Sequence, residues 1–302
     1  MKPGSRLSAG GAGMALAILA AFGFSFKAIF VKLAYPYGID AITLLALRMV
    51  FALPVFLWVG LTASRGMPTL NRRDWVGVIA MGLAGYYAAS VFDFLGLQYI
   101  SAGLERLILF TYPTLTLIFG MLLTRRLASR REMAALLLCY AGIGAAFWHD
   151  LEFAQEQSAI WLGGALVFAS ALSYAIYLTG SARMIARLGT ARFAAFATLV
   201  STAAVFGHFF ATQPVASLVQ PWPVYGYAMA MGLLCTAMPV FAQSAAIRRL
   251  GSPRVALVSM LGPLATIGFA VWLLDEPLSL AQIIGAALVI AGIALVSRRS
   301  IA

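Results

Sequence analysis

The sequence contains few charged residues: Asp, Glu, Lys and Arg together make up 10% of its 302 residues, whereas 62% are hydrophobic. Soluble chains average about 25% charged and roughly 45–50% apolar residues, so an ordinary water-soluble protein is excluded. The two cysteines, Cys139 and Cys235, lie in apolar runs without metal-site spacing, which argues against a zinc site or a disulfide framework. Together with a mean hydropathy of +0.93, this composition indicates an integral membrane protein.

Motifs that carry catalysis are also missing. The chain has no HExxH or GxSxG pattern, and its two histidines, His149 and His208, are far apart in sequence. Asp93 has no second carboxylate at helical spacing, so a carboxylate pair for acid–base chemistry is not indicated. An intramembrane enzyme would need one of these sets. We therefore expect no enzyme, no cofactor and no metal site.

Long apolar runs are abundant. A helix needs roughly 20 mostly apolar residues to cross a bilayer. Segments of that kind lie near 13–33, 41–62, 75–97, 102–123, 132–148, 159–181, 191–212, 224–246, 254–274 and 279–297. The connections between them are too short to form a soluble domain. The sequence therefore predicts an all-α membrane protein with ten transmembrane helices.

Charged residues in the connections are distributed unevenly. The chain has 21 Lys and Arg against 10 Asp and Glu, a net charge of +11. If the N-terminus lies inside, basic residues concentrate in inner segments such as 65–74 and 124–132, whereas Asp150 and Glu276 lie in outer ones. Cytoplasmic loops are enriched in Lys and Arg. We therefore expect both termini in the cytoplasm, an integral position in a bacterial cytoplasmic (inner) membrane, and no nucleic-acid partner.

A shift of the chain against itself by 150 residues aligns its two halves without gaps. The aligned stretches are 75–83 with 225–233 and 107–143 with 257–293, and the shared positions include Pro113 with Pro263 and AGI at 141–143 with 291–293. We predict a duplicated five-helix unit, with a first repeat in residues 1–149 and a second in 159–302. Because five is odd, the second copy must cross the membrane in the opposite direction. Inverted repeats of this kind are typical of secondary transporters.

The closing stretch of the second copy, GPLATIGFAVWLLDEPLSLAQIIGAALVIAGIALV (262–296), resembles the end of an EamA repeat of the drug/metabolite transporter superfamily. The features that carry the resemblance are Gly262-Pro263, Glu276-Pro277, Gln282, Gly285 and Gly292. The first copy matches through Pro113 and AGI, but Arg126 stands in the place of Glu276. The resemblance spans nearly the whole chain. It implies a ten-helix exporter or exchanger of small metabolites, often amino acids or drug-like compounds.

Five charged residues lie inside the predicted spans, where a charge at the helix centre costs roughly 2.5–3.5 kcal/mol. They are Lys27, Arg48, Asp93, Glu105 and Arg106. The residues 150 positions further along are all uncharged, so a folding role shared by both halves does not explain them. We predict a substrate-binding or coupling site whose positive charge suits a carboxylate or phosphate. The alternative is that Asp93 only neutralises Lys27 or Arg48, while Glu105 and Arg106 reach the membrane interface.

Aromatic and polar residues supply further candidates for the site. They are Tyr86, Tyr87, Tyr112, Tyr174, Tyr177 and Gln243. Tyrosine in a membrane span also serves in packing or in the interfacial belt, and that alternative stays open. Pro113 and Pro263 lie within apolar segments, where proline removes a backbone hydrogen bond and bends a helix. They are candidate hinges, with a simple packing bend as the alternative.

These observations predict a secondary transporter that moves a small-molecule substrate by alternating access. A channel, or a translocase for lipid-linked substrates, is the alternative reading. The fifth and tenth helices carry no interior charge. We expect them at the periphery, in contact with membrane lipid or with the second copy of a homodimer.

Overall fold

The computed structural model describes residues 4–125, 127, 129–152, 156–250, 255, 258–259 and 261–297. In these residues all regular secondary structure is helical. The α-helices in chain order are α1 (Gly4–Ala34), α2 (Ala41–Ser64), α3 (Arg72–Gly82), α4 (Ala89–Gly96), α5 (Ala102–Leu109), α6 (Tyr112–Thr124), α7 (Arg130–Glu152), α8 (Gln157–Leu188), α9 (Thr190–Thr212), α10 (Trp222–Gly232), α11 (Met238–Leu250), α12 (Leu261–Leu274) and α13 (Leu280–Ser297).

Eight stretches are long and apolar enough to cross a membrane. They are Gly11–Tyr37, Ala41–Ser64, Arg72–Gly96, Ala102–Leu123, Glu132–Glu152, Gln157–Leu188, Thr190–Thr212 and Trp222–Gln243. Two shorter apolar helices, Leu261–Leu274 and Leu280–Gly292, correspond to the ninth and tenth predicted segments. The prediction of an all-helical, multi-pass membrane protein is confirmed. Of the ten predicted crossings, the described residues provide eight of full length.

Polar side chains fix where several helices begin. The Asp40 carboxylate accepts hydrogen bonds from two backbone N–H groups in the first turn of α2, at 3.0 and 2.9 Å. Asn71 and Asp74 form a reciprocal capping box at the start of α3. The Ser101 hydroxyl accepts a hydrogen bond of 3.1 Å from a backbone N–H group in the first turn of α5, and the Ser279 hydroxyl accepts one of 3.0 Å in the first turn of α13. Such caps satisfy N–H groups that have no partner within the helix, and they start each of these helices at a defined residue.

Two π-helical turns interrupt the α-helical pattern. Leu83–Ala88 joins α3 to α4, and Leu233–Ala237 joins α10 to α11. The two turns begin 150 residues apart, which is the offset between the repeats. A π turn widens the helix by one residue and changes the direction of the side chains beyond it, and such turns occur frequently at functional sites.

A break divides the fourth crossing into α5 and α6. Phe110 and Thr111 form the turn between the two helices. Pro113 lies in the first turn of α6, where the missing N–H would have no helical partner in any case. The sequence places Pro113 in the middle of one apolar segment, whereas in the structure it lies at a helix start. Pro263 lies near the beginning of α12 and is buried.

Helices α7 and α13 pack against each other through small residues. A methyl group on Gly142 or on Gly285 would lie 2.6 Å from the carbonyl oxygen of the other glycine. Gly292 packs against Ala135 in the same way: a methyl group on Gly292 would lie 2.7 Å from the Ala135 carbonyl oxygen. Residues 142 and 292 are equivalent positions of the two repeats, and so are residues 135 and 285. The contact of 142 with 285 therefore corresponds to the contact of 292 with 135 when the two repeats are exchanged. Small residues allow this close approach of two helix backbones.

The largest apolar cluster described lies around α1, α2, α4 and α10. It includes Ile29, Met49, Phe94 and Met231. Tyr35, which follows α1, donates a hydrogen bond to the Phe94 carbonyl and so ties α1 to α4. The charged residues of the membrane spans lie on helices that this cluster holds together.

Candidate binding site

The centre of the candidate site is an ion pair between α1 and α4. Lys27 Nζ lies 2.6 Å from an oxygen of Asp93 and 3.7 Å from an oxygen of Glu105, at the beginning of α5. The side chains are 18%, 1% and 0% exposed. A buried charge without a partner is costly, and an opposite charge at this distance offsets much of that cost. One ammonium group therefore neutralises one of two adjacent carboxylates, not both.

Arg48 lies close by on α2, but it is not part of this ion pair. Its Nε donates a hydrogen bond of 3.2 Å to the Thr236 hydroxyl, and its guanidinium lies 5.5 Å from the Phe94 ring centroid. Among the described residues, Nη1 is buried without a hydrogen-bond partner and no acidic side chain lies within ion-pair distance. Arg48 thus keeps buried donors that its own chain does not satisfy.

The π turn between α10 and α11 positions the partner of Arg48. The Thr236 hydroxyl donates a hydrogen bond of 2.8 Å to the Met231 carbonyl, five residues earlier. With its proton used in this way, the hydroxyl oxygen accepts from Arg48 Nε. A local departure from α-helical geometry in the second repeat therefore holds a charged side chain of the first.

Arg106, on α5, is the third cation of the cluster. It is 5% exposed, its guanidinium lies 5.5 Å from the Phe110 ring centroid, and its Nε has no partner in the described structure. Its Nη2 would lie 3.4 Å from a methyl group on Gly262 of α12. Glycine at 262 therefore leaves space for the guanidinium between the two repeats.

Four of the predicted tyrosines form a second group next to the charges. The hydroxyls of Tyr86 and Tyr177 are 3.1 Å apart. Tyr174 stacks on Tyr177 at 5.6 Å between ring centroids, and Tyr112 meets Tyr174 edge to face at 5.0 Å. The ring of Phe110, which lies against the Arg106 guanidinium, is 5.7 Å from the ring of Tyr112 between centroids. The tyrosine group is thus continuous with the charged cluster.

The remaining candidates lie apart from these two groups. The Tyr87 hydroxyl makes a 3.0 Å hydrogen bond with Nδ1 of His208, which links the third crossing to α9. Gln243 is half-buried on α11, and in the described residues no hydrogen bond or ion pair joins it to the charges. The structure therefore brings together nine of the side chains that sequence predicts for the site: Lys27, Arg48, Asp93, Glu105, Arg106, Tyr86, Tyr112, Tyr174 and Tyr177.

A polar contact at one end of the molecule was not among the predicted site residues. The Glu276 carboxylate accepts hydrogen bonds from the backbone N–H groups of Ala102 and Gly103 at 2.9 and 3.4 Å, which caps α5 from the second repeat. Asp150 accepts from Ser101 and Gln282 at 3.1 and 3.4 Å. We call Ser101, Asp150, Glu276 and Gln282 the α5 cap. It borders a recess of about 210 Å³, and Arg126, the counterpart of Glu276, lies outside the described residues.

Polar residues buried between apolar helices are expensive, and in membrane proteins they mark sites that bind or move polar solutes. The fold and the cluster thus define a multi-pass membrane protein with a polar interior site. The model of the EamA-like transporter family matches residues 11–148 and 161–298, and the chain belongs to this family. The family prediction from the sequence is confirmed. The two matches establish two EamA-like repeats, and membership indicates a membrane transporter.

Relatives of similar length carry the same description. The chain is 27% identical over 288 residues to an uncharacterized transporter, YcbK, of Bacillus subtilis (strain 168), an alignment that covers 93% of this chain and 91% of the relative. It is 23% identical over 282 residues to an uncharacterized transporter of Archaeoglobus fulgidus, covering 92% and 95%. A solved structure described as "Crystal structure of protein" aligns with a TM-score of 0.67 over 95% of this chain and 97% of its own. At 19% identity it supports the fold alone.

Proposed function

We propose that this chain is a secondary transporter that exports or exchanges small metabolites, such as amino acids or related compounds, by alternating access. The observation that carries the proposal is the cluster of three cations and two carboxylates in the first repeat, whose two arginines lie against Thr236 and Gly262 of the second. Charges of this kind persist inside a membrane protein where they bind a solute or an ion. Family membership supplies the class of transporter, and the cluster supplies a place for the solute.

The proposed architecture is two inverted five-helix repeats related by a two-fold axis in the membrane plane, with both termini in the cytoplasm of a bacterium. Two observations support it. The contacts of Gly142 with Gly285 and of Ala135 with Gly292 exchange under the 150-residue offset. Basic residues dominate the connections that this arrangement places inside. In transporters built this way, the substrate site lies near the midplane and the repeats rock around it.

In this orientation the α5 cap lies at the outer end. It joins α5 and α7 of the first repeat to residues 276–282 of the second, through the hydrogen bonds of Glu276 and Asp150. Opening toward the outside therefore requires those hydrogen bonds to break. The turn at Phe110 and Thr111 separates α5 from α6, and we infer that α5 moves with the cap about this turn.

Counterflow in proteoliposomes tests the proposal. Vesicles with the purified protein are loaded with an unlabelled metabolite and diluted into a trace of the same labelled compound, across a panel of amino acids, organic acids and nucleosides. A carrier accumulates label transiently, and the accumulation saturates. Flux that rises linearly with concentration and carries current would indicate a channel, and movement of a lipid-linked substrate only would indicate a translocase.

A matched pair of variants ties transport to the cluster. In the triple variant Lys27→Met, Asp93→Asn, Glu105→Gln, the ammonium group and both carboxylates that contact it are replaced by neutral side chains of similar size, a change that is often tolerated by the fold. We expect it to abolish counterflow. Glu156→Gln, which alters an exposed carboxylate that accepts a hydrogen bond from Ser158, is expected to transport as the wild type does. Equal transport by both variants would remove the cluster from the proposal. The homodimer stays a prediction.

A further inference from the structure

The charge of Arg48 is only partly satisfied by the described residues. Its side chain is 5% exposed, one N–H is shared with Thr236, and Nη1 is buried without a partner in the described structure. The aromatic face of Phe94, 5.5 Å away, lowers the cost of a buried guanidinium but accepts no conventional hydrogen bond. Unsatisfied buried donors of a charged group are expensive, so the position is suited to a partner that the chain does not supply.

The other charges of the cluster cannot fill this role. Carboxylate oxygens of Asp93 and Glu105 lie 2.6 and 3.7 Å from Lys27 Nζ. Neither carboxylate lies within ion-pair distance of Arg48 in the described structure. Arg106 likewise has a free, buried Nε. The cluster therefore contains three cations and two carboxylates. Even with both carboxylates ionised the cations would outnumber them, so the cluster carries surplus positive charge.

The surplus cations converge on one location. Arg48 lies against the ring of Phe94, the neighbour of Asp93 in α4. Arg106 directly follows Glu105 in α5, so both arginines adjoin the carboxylates that hold Lys27. The ammonium group of Lys27 is held by carboxylates, so the free donors of this location are those of the two guanidinium groups. A planar guanidinium with a free edge binds a carboxylate through two parallel N–H···O hydrogen bonds.

We propose that the transported solute carries a carboxylate group and that Arg48 is the residue that binds it. The inference rests on the proposed transport function and names the chemistry of its substrate. A planar carboxylate meets the free edge of the guanidinium group with both of its oxygens, whereas a phosphate group brings a third acceptor oxygen, which needs a further donor. Arg106 supports the same group from α5, and Lys27 keeps the two carboxylates away from the anion site.

The test compares matched ligands on the purified full-length protein. The probes are three series in which only one group changes: benzoate, benzamide and phenyl phosphate; butyrate and butyramide; L-phenylalanine and L-phenylalaninamide. The measured quantity is the Tm in detergent with each compound at 10 mM. We expect at least one acid to raise the Tm by about 3 °C or more, with no response to its amide and a smaller one to the phosphate.

Variants then assign the response to Arg48. Arg48→Gln is expected to lose the acid-induced rise in Tm. Arg48→Lys keeps the positive charge but not the two parallel N–H donors of the guanidinium group, and it is expected to retain a smaller rise. Arg192→Gln is the matched control, because Arg192 is equally buried, donates to the Pro68 carbonyl at 3.0 Å and lies by the Phe196 ring. It should keep the full shift. If Arg48→Gln does not fold, the reduced response of Arg48→Lys beside an unchanged Arg192→Gln carries the test.

Four results would overturn the inference: no acid raises the Tm, amides act as well as acids, the phosphate acts best, or Arg48 variants respond as the wild type does. Counterflow separates this failure from failure of the proposed function. If acids and amides are carried equally, the transporter remains and the carboxylate requirement is lost. If an acid stabilises through Arg48 but no compound shows counterflow, the binding site remains and transport is lost.

Discussion

The thiol of Cys139 lies 3.6 Å from the carbonyl oxygen of Val289, and the two residues are 150 positions apart in the chain. A pair separated by the repeat offset maps onto itself when the two repeats are exchanged. The contact therefore joins equivalent positions of α7 and α13. The exchanging glycine contacts, Gly142 with Gly285 and Gly292 with Ala135, flank it.

The first prediction concerns this helix pair. Gly142→Ala places a methyl group 2.6 Å from a backbone carbonyl oxygen, which cannot move without shifting α13. We expect the free energy of unfolding to fall by about 1–3 kcal/mol, as for other overpacked sites. Gly144→Ala is the control, since a methyl group there meets open space, and it should be neutral or stabilising. Equal denaturant midpoints for the two variants would contradict the close packing.

The second prediction is a double-mutant cycle on the ion pair. Lys27→Met leaves Asp93 and Glu105 buried and unneutralised, so we expect a loss of about 3–5 kcal/mol. Asp93→Asn costs less, because Glu105 remains 3.7 Å from the ammonium group. The double variant should be more stable than the sum of the two single losses predicts. Unfolding free energies in detergent measure the cycle, and strict additivity would show that the pair is not coupled.

The third prediction concerns the α5 cap. Glu276→Gln replaces the charged carboxylate that accepts hydrogen bonds from the N–H groups of Ala102 and Gly103. The start of α5 should therefore separate from residue 276 more often. In an Ala102→Cys background, where residue 102 is fully buried, we expect faster reaction with a membrane-impermeant thiol reagent. Glu156→Gln in the same background is the control and should leave the rate unchanged. An unchanged rate in Glu276→Gln would show that the cap does not hold this end closed.

The fourth prediction concerns the tyrosine group. A methyl group on Gly85, in the first π turn, would clash with the Tyr177 ring. Gly85→Ala should displace that ring and cost about 1–3 kcal/mol, more than Tyr86→Phe, which removes only the hydrogen bond between the two hydroxyls and costs roughly 0.5–1.5 kcal/mol. Gly226→Ala is the control, since nothing lies within reach of its methyl group. Thermal unfolding of the three variants checks the order.

The fifth prediction is the orientation. Thr69 is exposed in the connection between α2 and α3, and Val219 is 81% exposed between α9 and α10. With both termini inside, Val219→Cys should react with an impermeant maleimide on intact cells, and Thr69→Cys only after lysis. The native thiols of Cys139 and Cys235 are buried and need no replacement. The reverse pattern would invert the proposed topology.

Much of the fold could be predicted because it follows from bilayer length. Segments such as 41–62 and 191–212 match α2 and α9 to within about two residues, since a crossing needs a minimum apolar length and polar caps such as Asp40 end it. The charged candidates could also be found, because any charge in an apolar run is conspicuous. The pairing of Asp93 with Lys27 rather than with Arg48 could not be predicted, since it depends on how three helices pack.

Other features leave no pattern in a single sequence. A π turn such as Leu83–Ala88 changes one hydrogen-bond step and does not alter the apolar composition of the helix. The role of Glu276 depends on backbone N–H groups more than 170 residues away, and no motif of side chains records it. The break before Pro113 is the intermediate case: the proline signals a disturbance, but its position at a helix start requires the tertiary structure.

The π turns also separate what the two repeats share from what differs between them. Leu83–Ala88 and Leu233–Ala237 begin at equivalent positions of the two copies, so the widened turn is common to both. The charges of the cluster have no counterparts in the second copy, so they belong to the first repeat alone. The same bend thus holds Tyr86 beside Tyr177 in the first repeat and Thr236 beside Arg48 in the second.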